Sequence, residues 1–477
     1  MMLLVNHLLK KKLKKHNSDS FVASKSCVIV VIVFVSLLLL LLSLLTNFMK
    51  DVYDAYSIPS PSSCISYNPT IKLITVGCKS ANLTDIYNQI NDPTILSKQE
   101  QKQSSSSETL SSSSFRTFPS FRSNNIWLLN ANLTIAQGAT FYINSTDTAW
   151  LKINANYAIS GHTSNNNNNN NSAAYGIQVF GNLKIDSVKI TSWNPETNDY
   201  ASLKTTTTTT TAKPVNGPFI IVQNGATGTT DITKSEIAYL TWLSYLGGNG
   251  SVLRGNNIHN LSFGFYSKGV SGMVFENNDV HDNGLYGIDP HTGTHDMIIR
   301  NNNVHNDGSI DIICSLDCYN ITIEGNKVYN NNTTPKTIGI MFSRNTSNSV
   351  ARNNVVQNEA IGVSVSISNN NKVSYNAVSN AINGIFVTGG SYKTKGGIKF
   401  SPGSHNNTID HNIIVNSSSA GIVVKGGAFG NVFYSNTVRN AHHFAIDIPD
   451  PHKTKNNTFR YNRLINSSSS LTSSSSP

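Results

Sequence analysis

Between about residue 250 and residue 466, apolar and polar residues alternate in short runs, and Asn or Gly breaks each run. Two arms recur. The first reads N-x-[VIL]-x-[ND], at Asn256-Ile258-Asn260, Asn278-Val280-Asp282, Asn302-Val304-Asn306, Asn326-Val328-Asn330 and Asn354-Val356-Asn358. It continues at Asn376-Val378-Asn380, Asn412-Ile414-Asn416, Asn436-Val438-Asn440 and Asn462-Leu464-Asn466, with steps of 22, 24, 24, 28, 22, 36, 24 and 26 residues. The second arm reads G-[IVF]-x-[VF], at Gly264, Gly287, Gly339, Gly362, Gly384 and Gly421.

Period-2 alternation in short runs predicts strands, and Asn and Gly supply the left-handed backbone of tight turns. No arm can bury its apolar face alone, so the coils must stack. An Asn at one place in every coil can bond its counterparts above and below. A coil of 22–24 residues holds three short strands, which predicts an all-β, right-handed parallel β-helix with three sheets. Weaker coils from Tyr175 bring the total to about eleven to thirteen. The 36-residue step holds an excursion around Gly389–Gly397. A leucine-rich repeat would need regular L-x-x-L-x-L, and Leu is scarce here.

Four low-complexity stretches cannot build a core: the Ser-rich 104–114, the Asn run 165–171, the Thr run 205–211 and the Ser-rich tail from 467. The predicted organisation is a basic and apolar segment at 1–50, an N-terminal region with linkers and a cap at 51–172, the β-helix at 173–466, and a tail at 467–477. Residues 27–45 (CVIVVIVFVSLLLLLLSLL) are nineteen residues without charge, Pro or Gly. As a helix they would span about 28 Å, near the ~30 Å hydrocarbon core. Six lysines precede them, which predicts a single-pass anchor with a cytoplasmic N-terminus and the rest outside the cell. A cleaved signal peptide, giving a secreted protein, is the alternative.

Charge adds little beyond this. The formal net charge is +10, but residues 1–50 carry +6 of it, so no basic face marks a nucleic-acid partner. The 64 asparagines and 13% charged residues exclude a helix bundle or coiled coil. Cys64/Cys78 and Cys314/Cys318 fall in two pairs and Cys27 lies in the apolar run, which suits an oxidising compartment; free buried thiols are the alternative.

One coil departs from the consensus. G-I-x-V becomes Gly287-Ile288-Asp289-Pro290, followed by His291 and, later, His295. Pro lacks the N–H for a central ladder position, so another constraint acts there. Aligning coils on the Gly sets Lys268 beside His291, and Tyr286, Asp289, His291 and Lys268 should share one face. Tyr286 and His291 can give or take a proton, Asp289 can orient His291, and Lys268 can neutralise a carboxylate. His295 is a loop residue or a partner in substrate binding. His259, His281 and His305 recur in three successive coils, either as a metal-binding stack or as a solvent-facing turn ladder; the ladder is the expectation, with no metal.

The run YGIDPH with a second His, inside an Asn-rich β-helix, resembles the mannuronan (alginate) C5-epimerases over about residues 250–466. The resemblance implies that Tyr286 and His291 exchange the C5 proton on opposite sugar faces, that Asp289 supports them, and that a basic residue offsets the uronate charge. The periplasmic members carry an Arg one coil later; here Asp311-Ile-Ile-Cys-Ser-Leu316 stands in that place. Arg344, two coils on and assigned to substrate binding, would lie about 10 Å from His291 by stacking alone, leaving Lys268 to do most of the neutralising. The partner implied is an acidic polysaccharide, a polyuronate, with no cofactor. A lyase using the same site, or a non-catalytic β-helix for surface or carbohydrate binding, are the alternatives.

Overall fold

The structure, a computed structural model, describes residues 63–99, 124–155, 174–201, 217–331, 335–394, 397–400 and 403–467. The apolar segment 27–45 and the runs 104–114, 165–171 and 205–211 lie outside them, as does the tail beyond Ser467. No helix among the described residues is long and apolar enough to cross a membrane.

Three long sheets wind around one core. Two hold 14 strands each and the third holds 12, all twelve parallel. Each coil contributes one strand to every sheet, in the order third, second, first. We call the sheet containing Tyr286–His291 sheet 1, that containing Asn257–His259 sheet 2, and that containing Val252–Arg254 sheet 3. The ladders reach back to Leu73–Val76, Asn132–Ile135 and Trp150–Asn154, N-terminal to residue 173. A short helix, Leu83–Ile90, buries Leu83 and Ile86 near that end, and a disulfide joins Cys64 to Cys78. The excursion in the 36-residue step forms an antiparallel hairpin, Ser391–Thr394 with Gly397–Phe400.

The repeat asparagines explain the register. From Gly255-Asn256 to Ser435-Asn436, each turn between sheets 3 and 2 is a left-handed residue followed by a buried Asn. Gly255, Asn277, Asn301, Gly325 and Asn353 hold the left-handed place in five successive coils. Each Asn oxygen accepts the backbone N–H and the side-chain Nδ2 of the Asn one coil earlier, while each Nδ2 also donates to a backbone carbonyl. For Asn326, Oδ1 accepts from Asn302 N and Nδ2, both at 2.9 Å, and Nδ2 reaches Asn354 Oδ1 and Ile299 O, both at 3.0 Å. The chain of bonds runs unbroken from Asn256 to Asn462. The variable coil lengths are therefore absorbed elsewhere, and the ladder keeps the apolar rows in line. Ile288, Ile312, Ile340, Val363 and Ile385 form one such row, fully buried.

One corner of the interior is acidic. Where neighbouring coils place Gly287 and Gly339, this coil places Asp311. Its side chain meets Asp307 and Glu359, all three buried. Asn283 N and Nδ2 donate to Asp307 Oδ1 at 2.9 and 2.8 Å, and Thr337 donates to Glu359. Burial pushes the Asp307 and Asp311 carboxyls well up, with their mutual proximity adding to it for Asp311, and pushes Glu359 to about 7. Burial and the nearness of the other carboxyls favour the protonated forms in this cluster.

Two outcomes follow. Asn326→Ala orphans groups on three strands and lowers the unfolding free energy by about 2 kcal/mol or more, read from chemical denaturation. An unchanged midpoint would remove the ladder as the register device. Glu359 has a folded pKa above its ordinary 4.5, so its contribution is complete below that value and is lost as pH rises through about 7. Glu359→Gln flattens the fall in the thermal midpoint between about pH 5 and pH 8; parallel curves for the two proteins would show that the cluster carries no proton.

Candidate active site

Sheet 1 presents alternate side chains outward. On Tyr286–His291 the alternation runs from Ile288, which enters the core, through outward Asp289 and His291; it breaks at Gly287, where a Cβ would meet Asp307 and Val304, and Tyr286 before it is part-exposed. The preceding strand, Phe263–Lys268, pairs in register: Phe263 with Tyr286, Tyr266 with Asp289, and Lys268 with His291. Lys268 is exposed and stands where the coil alignment puts it. The structure thus brings Tyr286, Asp289, His291 and Lys268 to one face. Trp242 stacks on Phe263 at 4.7 Å and Phe263 meets Tyr286 edge-on at 5.4 Å, giving the tyrosine an apolar flank.

Asp289 is 1% exposed, and its Oδ1 has no hydrogen-bond partner. Burial pushes its carboxyl well above the carboxylate range, with the Arg344 charge opposing only in part. Burial therefore favours the protonated form of Asp289. No hydrogen bond joins it to His291, so it does not orient the imidazole as expected from sequence. Instead, His291 Nδ1 lies 2.5 Å from Thr292 Oγ1 and 3.4 Å from Tyr266 Oη. Burial, then the charges of Arg344 and Lys268, hold His291 down to about 4, so the ring is neutral at physiological pH. Burial raises Tyr286, and raises Tyr266 to about 12, so both phenols keep their protons.

Arg344 corrects a second expectation. Its backbone sits two coils from His291, in the left-handed turn after Ser343 (φ 53). Yet its charge acts on Tyr286, Asp289 and His291, whereas Lys268 acts on His291 alone. Neither cation forms an ion pair among the described residues. Arg344 therefore contributes more of the positive field at His291 than Lys268 does.

His295 stands apart. It bonds Asp296 at 2.7 Å and stacks on Tyr319 at 4.5 Å, in the turn row that leads to sheet 3. Cys314 and Cys318 are free and buried; Cys318 Sγ donates to Ser315 O and Pro290 O at 3.1 and 3.4 Å. His259, His281 and His305 stack at 4.9 Å spacing and continue onto Tyr329 at 4.7 Å, on sheet 2. Carboxylates accompany them: Glu236 lies 3.4 Å from His259, Asp282 2.7 Å from His281 and Asp279 3.3 Å from His305. Among the described residues no group of three or more His, Cys, Asp or Glu side chains is arranged to hold a metal ion.

Tyr266 and Thr292 were missed from sequence. Tyr266 lay in the alignment that paired Lys268 with His291, and Thr292 directly follows the histidine, but nothing in their spacing marks a contact with Nδ1.

Residues 243–395 match the family model described as right handed beta helix region. No curated protein matches the chain in sequence. Among solved structures, the periplasmic alginate epimerase AlgG superimposes with a TM-score of 0.60 at 17% identity, over 82% of this chain and 85% of that one. A single-substitution variant of AlgG gives 0.62 at 18% identity over the same shares. At such identities the likeness is one of fold: an all-β, right-handed parallel β-helix.

Arg344→Gln raises the His291 titration toward the ordinary imidazole value of 6.5, and Lys268→Gln raises it less, as followed by histidine proton NMR with His291→Gln for assignment. Equal or absent shifts would contradict the electrostatic ranking.

Proposed function

We propose that this chain is an extracytoplasmic polysaccharide-modifying enzyme, a C5-epimerase of uronic-acid residues in a polyuronate. What supports the reading is a half-buried imidazole under the charges of two cations that form no ion pair among the described residues, with Tyr286 and the buried Asp289 on the same face, where burial favours the uncharged form of all three. Such a patch suits a sugar carboxylate whose α-proton must be removed. The fold shared with AlgG, an alginate epimerase by its description, agrees with it.

In this reading Arg344 and Lys268 bind the uronate carboxylate, and neutral Asp289 donates a hydrogen bond to it. That offset of charge lowers the cost of the carbanion. His291 takes the C5 proton, and the C5–H electron pair moves into the carboxylate. Tyr286 then delivers its phenolic proton to the other face of C5. His291 is left protonated and Tyr286 ionised, and exchange with solvent restores both. Elimination of the 4-O substituent from the same carbanion would make a lyase. A non-catalytic carbohydrate-binding β-helix would use the cations alone.

Residues 1–50 are proposed to anchor the chain and 467–477 to form a tail, while the β-helical ladders begin N-terminal to residue 173, within the 51–172 region. The Cys64–Cys78 disulfide supports an oxidising compartment outside the cytoplasm. His295 keeps a place only as a peripheral contact for the polymer.

His291→Ala and Tyr286→Phe each abolish deuterium incorporation at C5 of polymannuronate in heavy water, read by proton NMR, which also reports unsaturated ends. Undiminished exchange in both variants would discard the assignment. The base must be neutral to act, so kcat/KM falls with acid only as pH drops toward about 4. It holds near its plateau at about pH 5.5, where an ordinary imidazole is mostly protonated. An acid limb centred near the ordinary 6.5 would remove His291 as the base.

A further inference from the structure

We propose that Thr292 is a positioning residue that fixes the tautomer of His291, accepting the Nδ1–H and so presenting a bare Nε2 to the substrate. The role rests on the reading of His291 as the base.

Three observations carry it. First, Thr292 Oγ1 lies 2.5 Å from Nδ1, the closest partner of either ring nitrogen, and Tyr266 Oη adds a longer contact at 3.4 Å to the same nitrogen. Nε2 has no partner among the described residues. A neutral imidazole carries one N–H, and whichever nitrogen holds the stronger acceptor keeps it. Second, threonine brings something particular to this turn. Its backbone is left-handed (φ 41), as at Gly269 (φ 63) one coil earlier and at Leu316, Arg344 and Ile367 (φ 60, 53 and 53) in the coils that follow, and of these five residues threonine alone carries a hydroxyl. What threonine offers there and glycine cannot is a hydroxyl on Nδ1. Third, the backbone on which the ring stands is itself pinned. Thr294 Oγ1 donates to His291 O at 2.9 Å and contacts Ser267 Oγ at 3.2 Å, so the ring is aimed from a fixed base.

Tyr266 closes the other side. Its ring lies 5.4 Å from the imidazole at a 38° tilt, which limits rotation about the outer torsion. The hydroxyl of Thr292 sets which nitrogen is protonated, and Tyr266 sets where the ring lies.

The test uses protein labelled with 15N-histidine, with His291→Gln to assign the signal, and parallel assays of C5 exchange. Wild type and Thr292→Ser show His291 protonated at Nδ1. Thr292→Val keeps the branched shape and loses the acceptor; it shows a mixed or Nε2–H tautomer, and its kcat falls by about 10-fold to 100-fold with KM little changed. Thr292→Gly relieves the turn, so its unfolding midpoint is no lower than wild type while kcat falls as in Thr292→Val. An Nε2–H tautomer in the wild type, or an unchanged tautomer and kcat in both Thr292→Val and Thr292→Gly, overturns the proposal. If the wild type exchanges no uronate proton but the tautomer still shifts in Thr292→Val, the positioning stands and the epimerase reading is what fails.

Discussion

Everything in this molecule depends on one hydrogen-bond pattern, the buried asparagine ladder between sheets 3 and 2. An amide side chain is the one uncharged group that can accept two donors from the coil before and give two to carbonyl acceptors around it. Each Asn does this from Asn278 to Asn436, at 2.8–3.0 Å throughout. Breaking any rung leaves several buried polar groups without partners, which costs more than any single apolar contact in a coil of short strands. The ladder is therefore what lets coils of unequal length remain in register, and register is what sets Lys268 beside His291.

The outer face of sheet 1 turns that register into chemistry. A solenoid has no enclosed cavity, so burial must come from neighbouring rows. Asp289 is covered by its neighbours and loses its charge; His291 is half covered and loses its proton. The two cations stay exposed and unpaired. The result is a patch that is positive in field yet neutral at the groups that would move protons. A carboxylate arriving there meets attraction without competition from a fixed anion.

The interior tells a related story at the corner of Asp307, Asp311 and Glu359. Where a glycine would let the chain pass closely, Asp311 brings a carboxyl into a dry interior beside two others, and all three sit above the ordinary carboxylate range. The same fold thus raises carboxyls in two places, this interior corner and Asp289 on sheet 1.

Periodicity alone determined the architecture: the 22–24-residue repeat, the Asn arm and the Gly arm are enough for three short strands per coil, and the coil alignment is enough for the Lys268–His291 pairing. Those follow from the backbone, whose alternation and turn preferences are local properties of the chain. Side-chain reach was not legible in the same way. Stacking distance ranked Lys268 above Arg344, yet the Arg344 charge weighs more on His291 than the Lys268 charge. Asp289 looked like a support for His291, yet burial made it a neutral acid with a free oxygen, and the imidazole turned to Thr292 and Tyr266. Two of the carboxylates beside the histidine stack, Glu236 and Asp279, come from the neighbouring coil, where no linear motif joins them to His259 and His305. Which atoms meet, and which of them keep their protons, depends on how much water the neighbouring coils exclude, and that is decided only when the coils are stacked.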